Sequence, residues 1–417
     1  MTPGAVIGLV VPALTAGGGV PSVARFLCEQ IDRTGRYRLE IFSLASSARD
    51  EHSLRLLAPS TWSGYPRTAM GVWEGRGITH VGAVGVELEF QRYRPSRVLE
   101  RALRGCDLIQ VVAGSPAVAL TVAHCRQPIV LQVATRAVVE RARTLSTGRA
   151  PLRWWRRGMA RITDRLDDAA LRRVDAVVVE NEWMRVYAGK IAGAATTVLK
   201  ATPGVDCERF IPAGDRGSNW PQAPYILFVG RLSDPRKNVT LLCRAYSRLC
   251  TSMATPPRLI IAGSGELPPA ALQEIQSLAA PERVTIVRSP DNERLRHLYQ
   301  GAACLAVPST EEGFGLVVIE AMASGIPVVS TRCGGPDEII SHGLDGYLVA
   351  LEDAADLAHH LALLCADVES NIRFGLQARA TALTRYADGA AFSPFLQTYD
   401  RLLRHTQERG SDCNRPS

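Results

Sequence analysis

Short apolar runs recur along the chain, each followed by a stretch whose apolar residues return at helical spacing. In the first half they are AVIGLVV, YRLEIFSL, DLIQVV, PIVLQV and DAVVVEN; in the second they are YILFVG, RLIIAG, RVTIV, CLAVPS, PVVST and GYLVA. Unbroken apolar strands alternating with helices predict parallel sheets covered on both faces. Eleven such runs are too many for one doubly wound sheet of ordinary size, so the pattern predicts two α/β domains. The stretch IPAGDRGSNWPQAP, Ile211–Pro224, lacks periodicity, is rich in Pro and Gly, and reads as the break. Ligands of open sheets sit beyond the carboxyl ends of the strands, so two such domains are expected to share a cleft.

A length of 417 residues agrees with two domains, and 46% hydrophobic with 21% charged residues excludes a disordered chain. No run reaches the roughly 18 apolar residues of a membrane-spanning helix. The opening MTPGAVIGLVVPALTAGGG reads as a strand and loop, not a secretory leader, because no basic residues precede it and Pro12 and glycines interrupt it. Ten scattered cysteines, with no CxxC pair and no Cys/His cluster, favour a reducing cytosol and argue against a zinc site. Charge changes the picture more. The net charge is +7, and residues 136–173 hold eleven arginines against four acids, so the rest of the chain is about neutral.

Three motifs carry candidate chemistry. GGGVPSVARFL, Gly17–Leu27, puts glycines between a strand and a helix, which suits either a tight turn or a loop that meets a phosphate or sugar. It is not a GxGxxG dinucleotide fingerprint. GRLSDPRKNVTLL places Arg231 and Lys237 just beyond a strand, where two cations suit a diphosphate or remain solvated. In EEGFGLVVIEAMASGIPVVST, Glu312 and Glu320 bracket a glycine-rich helix start with seven residues between them. A helix start of that kind offers backbone N–H groups and the positive end of a dipole to an anion.

Taken in order, GRLSDPRKN, IIAGSGEL, VPSTEEGFGLVVIEAMASGIPVVSTRCGGPDEII and DGYLV resemble the retaining glycosyltransferases of family 4. PGVDCERFIP, Pro203–Pro212, looks like that family's interdomain signature. The resemblance implies the GT-B fold, an α/β architecture of two Rossmann-like doubly wound domains facing across a cleft. It implies an N-terminal acceptor domain over 1–205, a nucleotide-sugar domain over 206–387, and a helix over about 388–406 that crosses back. The implied activity is metal-independent, retaining transfer of a hexose-type sugar from a UDP- or GDP-linked donor, with no further cofactor. The acceptor would be a glycan, a lipid-linked molecule or a small molecule, in surface polysaccharide or glycolipid assembly in the cytoplasm.

The resemblance also assigns roles. Glu312 would contact donor-sugar hydroxyls, aided by backbone N–H groups of Gly313, Phe314, Gly315 and Leu316. Glu320 would hold the ribose hydroxyls. Arg231 and Lys237 would neutralise the diphosphate, Gly18 and Gly19 would meet the donor phosphate or acceptor, and Val287 and Arg288 would border the nucleobase. The family's histidine in a T-x-H-D pattern is absent, since PIVLQVATRA puts Ala134 and Thr135 there. Thr135 or Arg136 is the expected substitute on the acceptor side, and His124, in a segment that reads as helix, is expected to be structural. A non-catalytic sugar-nucleotide-binding partner and a sugar-nucleotide epimerase or hydrolase remain alternatives.

The basic segment APLRWWRRGMARITDRLDDAALRR has Leu152, Trp155, Met159, Ile162 and Leu166 at helical spacing. With Trp154, Trp155, Arg156 and Arg157 it suits a helix lying on an anionic membrane surface, or one packed into its domain with solvated arginines. Nucleic acid is not an expected partner, because no reader fold accompanies the charge.

Overall fold

A computed structural model describes residues 4–12, 14, 19–62, 64–140, 150–214 and 224–412. The chain divides into unit 1, Met1–Pro203 with Phe392–Ser417, and unit 2, Gly204–Ala391. The division thus falls ahead of Ile211–Pro224. Residues 204–214 belong to unit 2, where Val205 and Phe210 are buried and Val205 N donates to Tyr386 O at 2.8 Å.

Among the described residues unit 1 is built on an eight-stranded sheet. Its strands are β1 (Ala5–Pro12), β2 (Tyr37–Leu44), β3 (Thr68–Trp73), β4 (Arg76–Val81), β5 (Leu108–Ala113), β6 (Ile129–Val133), β7 (Ala176–Val179) and β8 (Thr197–Lys200), in the order β3-β4-β2-β1-β5-β6-β7-β8. All pairs are parallel except β3–β4. That hairpin and β8 are absent from the pattern of apolar runs. β3 carries exposed Met70 and Val72, so it shows no buried face to recognise. Its turn did leave a signal: Glu74 and Gly75 both have positive φ, as two-residue hairpin loops require.

Unit 2 has β9 (Tyr225–Val229), β10 (Arg258–Gly263), β11 (Val284–Arg288), β12 (Ala302–Val307), β13 (Val328–Thr331) and β14 (Gly346–Val349), ordered β11-β10-β9-β12-β13-β14 and parallel throughout. Alternate residues feed two cores. Ile226 and Phe228 join one apolar cluster, while Leu227 joins the other with Leu305 and Val328. That is the doubly covered sheet the sequence pattern predicts.

The helices that bear on function are numbered α1 (Gly19–Thr34), α2 (Ala150–Leu171), α3 (Glu182–Ile191), α4 (Val239–Ser252), α5 (Leu316–Ala323), α6 (Val368–Thr381) and α7 (Asp388–Asp412). Two expectations are corrected. AVALTVAHC forms a 3-10 segment, Pro116–Val122, with Pro116 opening it, and His124 is exposed just beyond it rather than part of the core. In α2 the buried positions among the described side chains are Ala160, Thr163, Asp167, Ala170 and Leu171, while Leu152 and Trp155 of the expected stripe lie outside the described side chains and Met159 is half-buried. Of that stripe Ile162 is exposed and Leu166 packs on the core. The reason is polar anchoring: Asp167 accepts from Ala117 N at 2.9 Å and Ala137 N at 3.1 Å, which fixes the rotation of the helix.

Candidate functional site

In unit 2 the strand order reverses between β9 and β12, with β10 on one side and β13 on the other. A doubly wound sheet binds its ligand beyond the carboxyl ends of the strands at that switch. Two loops meet this description, Gly230–Asn238 after β9 and 308–315 after β12. They hold Arg231, Lys237, Glu312 and the glycine-rich start of α5, so topology and motif point to one place.

The first loop is folded by its own polar residues. Asp234 caps a short 3-10 turn, Pro235–Lys237, by accepting from Arg236 N, and Asn238 adopts a left-handed conformation before α4. These turns aim Lys237 across to the β12 loop, while Arg231 pairs with Asp234 within its own loop. Lys237 Nζ donates to Glu312 Oε1 at 2.6 Å, and Ser309 Oγ donates to the same oxygen at 2.7 Å. Oε1 therefore has two donors, which fix the carboxylate's position. Both side chains are largely buried, at 17% and 10% exposure, so their charges are not screened as surface charges are.

Arg231 is more open. Its Nη2 donates to Asp234 Oδ2 at 2.6 Å, and Arg236 bridges Asp234 to Glu311, with Nη1 at 3.1 Å from Glu311 Oε2. Burial works against the Asp234 charge, yet the Arg236 guanidinium holds its carboxyl below the usual range. Asp234 is thus a fixed anion that holds Arg231 while leaving it half exposed.

Glu320 lies on α5, where Tyr299 OH donates to its Oε2 at 2.7 Å. Tyr299 is fully buried, and burial followed by the Glu320 charge pushes its phenol well above the ordinary value, so it serves as a permanent donor. Gly315, at φ 100°, is the N-cap of α5 with no side chain capping it, so the helix presents main-chain groups at its start. A Cβ on Gly335 would stand 2.0 Å from Phe314 O, so only glycine lets the 333–335 segment close against this loop. Glu312 is pinned there by N–H donation to Cys333 O at 2.8 Å and by accepting from Gly335 N at 2.8 Å.

The structure brings Lys237 and Glu312 into contact and places Arg231 on the same loop as Lys237. Phe314 is buried against Tyr386, so it packs, and Leu316 opens α5. Val287 packs on the core at the end of the edge strand β11, and Arg288 forms an exposed ion pair with Glu266 at 2.6 Å. Gly18 lies outside the described residues. Gly19 opens α1, and a Cβ there would meet nothing within 4 Å among the described residues. In unit 1 Thr135 is buried, with its hydroxyl lacking a partner among the described residues. The Arg136 guanidinium stacks 3.8 Å from the Tyr187 ring centre and pairs with Asp164, which ties α2 and α3 to β6. Sequence reasoning missed Ser309, Asp234, Arg236, Glu311 and Tyr299.

With this geometry in view, comparison with known proteins is informative. Residues 215–381 match the family described as glycosyl transferases group 1, and the chain carries such a domain there. Similar proteins include D-inositol 3-phosphate glycosyltransferase 2 of Catenulispora acidiphila, 36% identical over 52% of this chain and 56% of that protein. The D-inositol 3-phosphate glycosyltransferase of Nocardia farcinica is 38% identical over 43% of this chain and 42% of that protein. The chain therefore spans about half the length of the curated relatives it matches. Among solved structures, sucrose-phosphate synthase of Thermosynechococcus elongatus superposes with a TM-score of 0.71 at 20% identity, covering 96% of this chain and 100% of that one. HepE of Anabaena, solved with UDP-glucose, gives 0.68 at 18% identity over 95% and 99%. The two Rossmann-like units thus share the fold of GT-B glycosyltransferases.

Proposed function

We propose that the chain is a retaining glycosyltransferase that moves a hexose-type sugar from a UDP- or GDP-linked donor to a hydroxylated acceptor. The observation that carries this is the Lys237–Glu312–Ser309 cluster, set beside Arg231 at the switch point of unit 2 and under the open start of α5. Departure of a nucleoside diphosphate builds negative charge, and fixed cations with helix-end amides stabilise it without reorganising. Arg231 and Lys237 supply that charge in place of a metal. Glu312 accepts from donor-sugar hydroxyls, and Glu320, set by Tyr299, accepts from the ribose. Retention follows if the departing phosphate takes the acceptor proton on the face it leaves.

The test begins with a thermal-shift panel of UDP- and GDP-sugars, because a ligand that binds only the native state raises its melting temperature. UDP-glucose heads the panel, since the HepE structure holds it. Acceptors to try include an inositol phosphate, which the relatives' names specify, alongside glycan and lipid-linked acceptors. Nucleotide release that needs an acceptor, with the donor's anomeric configuration kept in the product by NMR, is the expected result. An inverted product rejects retention. Release without acceptor favours the hydrolase alternative, and binding without turnover favours a partner subunit.

We place the enzyme at the cytoplasmic face of a membrane, in surface glycan or glycolipid assembly. No helix among the described residues is long and apolar enough to cross a membrane. α2 instead exposes one stripe, in which Trp154 is 75% and Ile162 41% exposed beside exposed Arg157, Arg161 and Arg165. Aromatic and aliphatic groups among arginines suit an anionic lipid surface. Co-sedimentation with vesicles is expected to require anionic lipid and to fall several-fold in Arg157→Glu/Arg161→Glu. Binding indifferent to both changes would remove this assignment.

A further inference from the structure

The outer edge of β3 is an open pairing surface. β3 ends the sheet of unit 1, and no described strand pairs with its outer side. Its sequence, TAMGVW, holds no charge and no proline, and its pairing with β4 runs without a bulge, so it lacks the devices that keep sheet edges apart. The other described edges differ. β14 is largely buried, and β8 and β11 are mostly half-buried and end in exposed Lys200 and Arg288. On β3 Met70 is 80% and Val72 75% exposed.

Register decides which main-chain groups lie open. A two-residue turn, Glu74 and Gly75, joins β3 to β4, so Trp73 and Arg76 form a hydrogen-bonded pair, and such pairs recur at every second residue. Gly82 N donates to Arg67 O at 3.0 Å, which continues the same alternation. Ala69, Gly71 and Trp73 therefore direct their main-chain groups to β4. Thr68, Met70 and Val72 direct theirs outward, and their side chains share one exposed face. The charges at the turn are already matched within unit 1, since Glu74 pairs with Arg25 and Arg76 with Asp32.

We propose that β3 pairs with β3 of a second copy of this chain, antiparallel across a two-fold axis that passes through the sheet at Met70. With Met70 opposite Met70 of the copy, Thr68 stands opposite Val72 of the copy, and the reverse pair follows by symmetry. All of these residues direct their main-chain groups outward, so each pair exchanges both hydrogen bonds and none of the three is left open. A register shifted by two residues leaves one of them unmet. The side chains agree, because Met70 meets Met70 and Val72 meets the Thr68 methyl on the exposed face. A copy is the occupant because the strand is its own complement.

The area is sufficient once the approach to β3 is counted. Arg67 N donates to His52 O at 2.9 Å, so the stretch before β3 returns to the Thr68 end of the strand. Its Leu57, Trp62 and Tyr65 are exposed. By register the turn of the copy lies beside Pro66 and Tyr65, which brings this stretch into the interface. Together with Met70 and Val72 these side chains present on the order of 700 Å² per copy, close to the roughly 800 Å² per partner of a specific interface. An exposed apolar patch of that size on one face is a mark of association.

The experiment is sedimentation velocity on the full chain over about 1–100 μM, where a reversible dimer is expected. Met70→Lys sets like charges directly opposite at the axis and should weaken the dimer about tenfold or more, with circular dichroism unchanged because the position is exposed. Met70→Cys reads the register. Residues opposite in a hydrogen-bonded pair have Cα atoms about 5.5 Å apart, within disulfide reach, so mild oxidation should link two copies well above the background of the unaltered chain. Val72→Cys should not exceed that background, because its opposite is Thr68. A chain monomeric at the highest concentration overturns the proposal, whatever other strand the edge can take. A dimer that Met70→Lys leaves unchanged overturns it too, as does Val72→Cys linking as readily as Met70→Cys.

Discussion

Lys237→Ala is expected to lower turnover by about 10²–10³, the loss typical of removing one preorganised stabiliser of developing charge. Two effects combine. On the proposed donor site the cation beside the departing diphosphate disappears, and Glu312 Oε1 keeps only the Ser309 hydroxyl, so its carboxylate is freer to move. Glu312→Gln should produce a loss of similar size, because an amide is a weaker acceptor and no longer pairs with Lys237. The double variant should lose much less than the product of the single losses, since the two residues work as a unit. Steady-state kinetics with an acceptor, beside thermal melts of each variant, check this. If Lys237→Ala turned over within threefold of the original rate while folding normally, the catalytic assignment would be wrong.

Arg379→Ala is expected to destabilise unit 2 by about 3 kcal/mol, on the scale of losing charged hydrogen bonds to main-chain carbonyls. From α6, Arg379 donates to Phe210 O at 2.6 Å, to Cys207 O at 2.8 Å, and to Ala323 O. Those carbonyls come from two separate segments, the 204–212 stretch and the end of α5. The cation also sits where the α5 dipole is negative. Arg379→Lys should recover little, because one ammonium does not reproduce a planar fork that serves three oxygens. In a unit of this size the loss corresponds to roughly 6–12 °C in melting temperature. A calorimetric transition shifted by less than 2 °C would show that water replaces these bonds at no cost.

What the sequence made legible follows from how the contacts are built. The parallel strands were readable because both faces of the unit 2 sheet are apolar, so β9 and β12 appear as unbroken runs. Arg231, Lys237, Glu312 and Glu320 were readable because each sits within a few residues of a strand end or helix start. Tyr299 was not, because α5 meets it only in three dimensions and its own segment looks like an ordinary amphipathic helix. Asp234, Arg236 and Glu311 read as surface charges until the two loops are placed side by side. The aliphatic stripe of α2 misled at Ile162, which is exposed, because Thr163 and Asp167 face inward beside Leu166 and Leu171. A buried carboxylate satisfied by main-chain N–H groups has no periodic signature.

The way α7 closes unit 1 has a consequence for biosynthesis. Phe392, Phe395 and Tyr399 are buried, Tyr399 bonds Gln110 of β5, and Tyr37 and Arg36 at the start of β2 both bond Asp400. A ribosome delivers these residues after all of unit 2, long after the strands they cover. Unit 1 must therefore wait with a bare apolar face while all of unit 2 is made. Premature stops near 390 should yield a nascent chain whose first half is the part that chaperones hold.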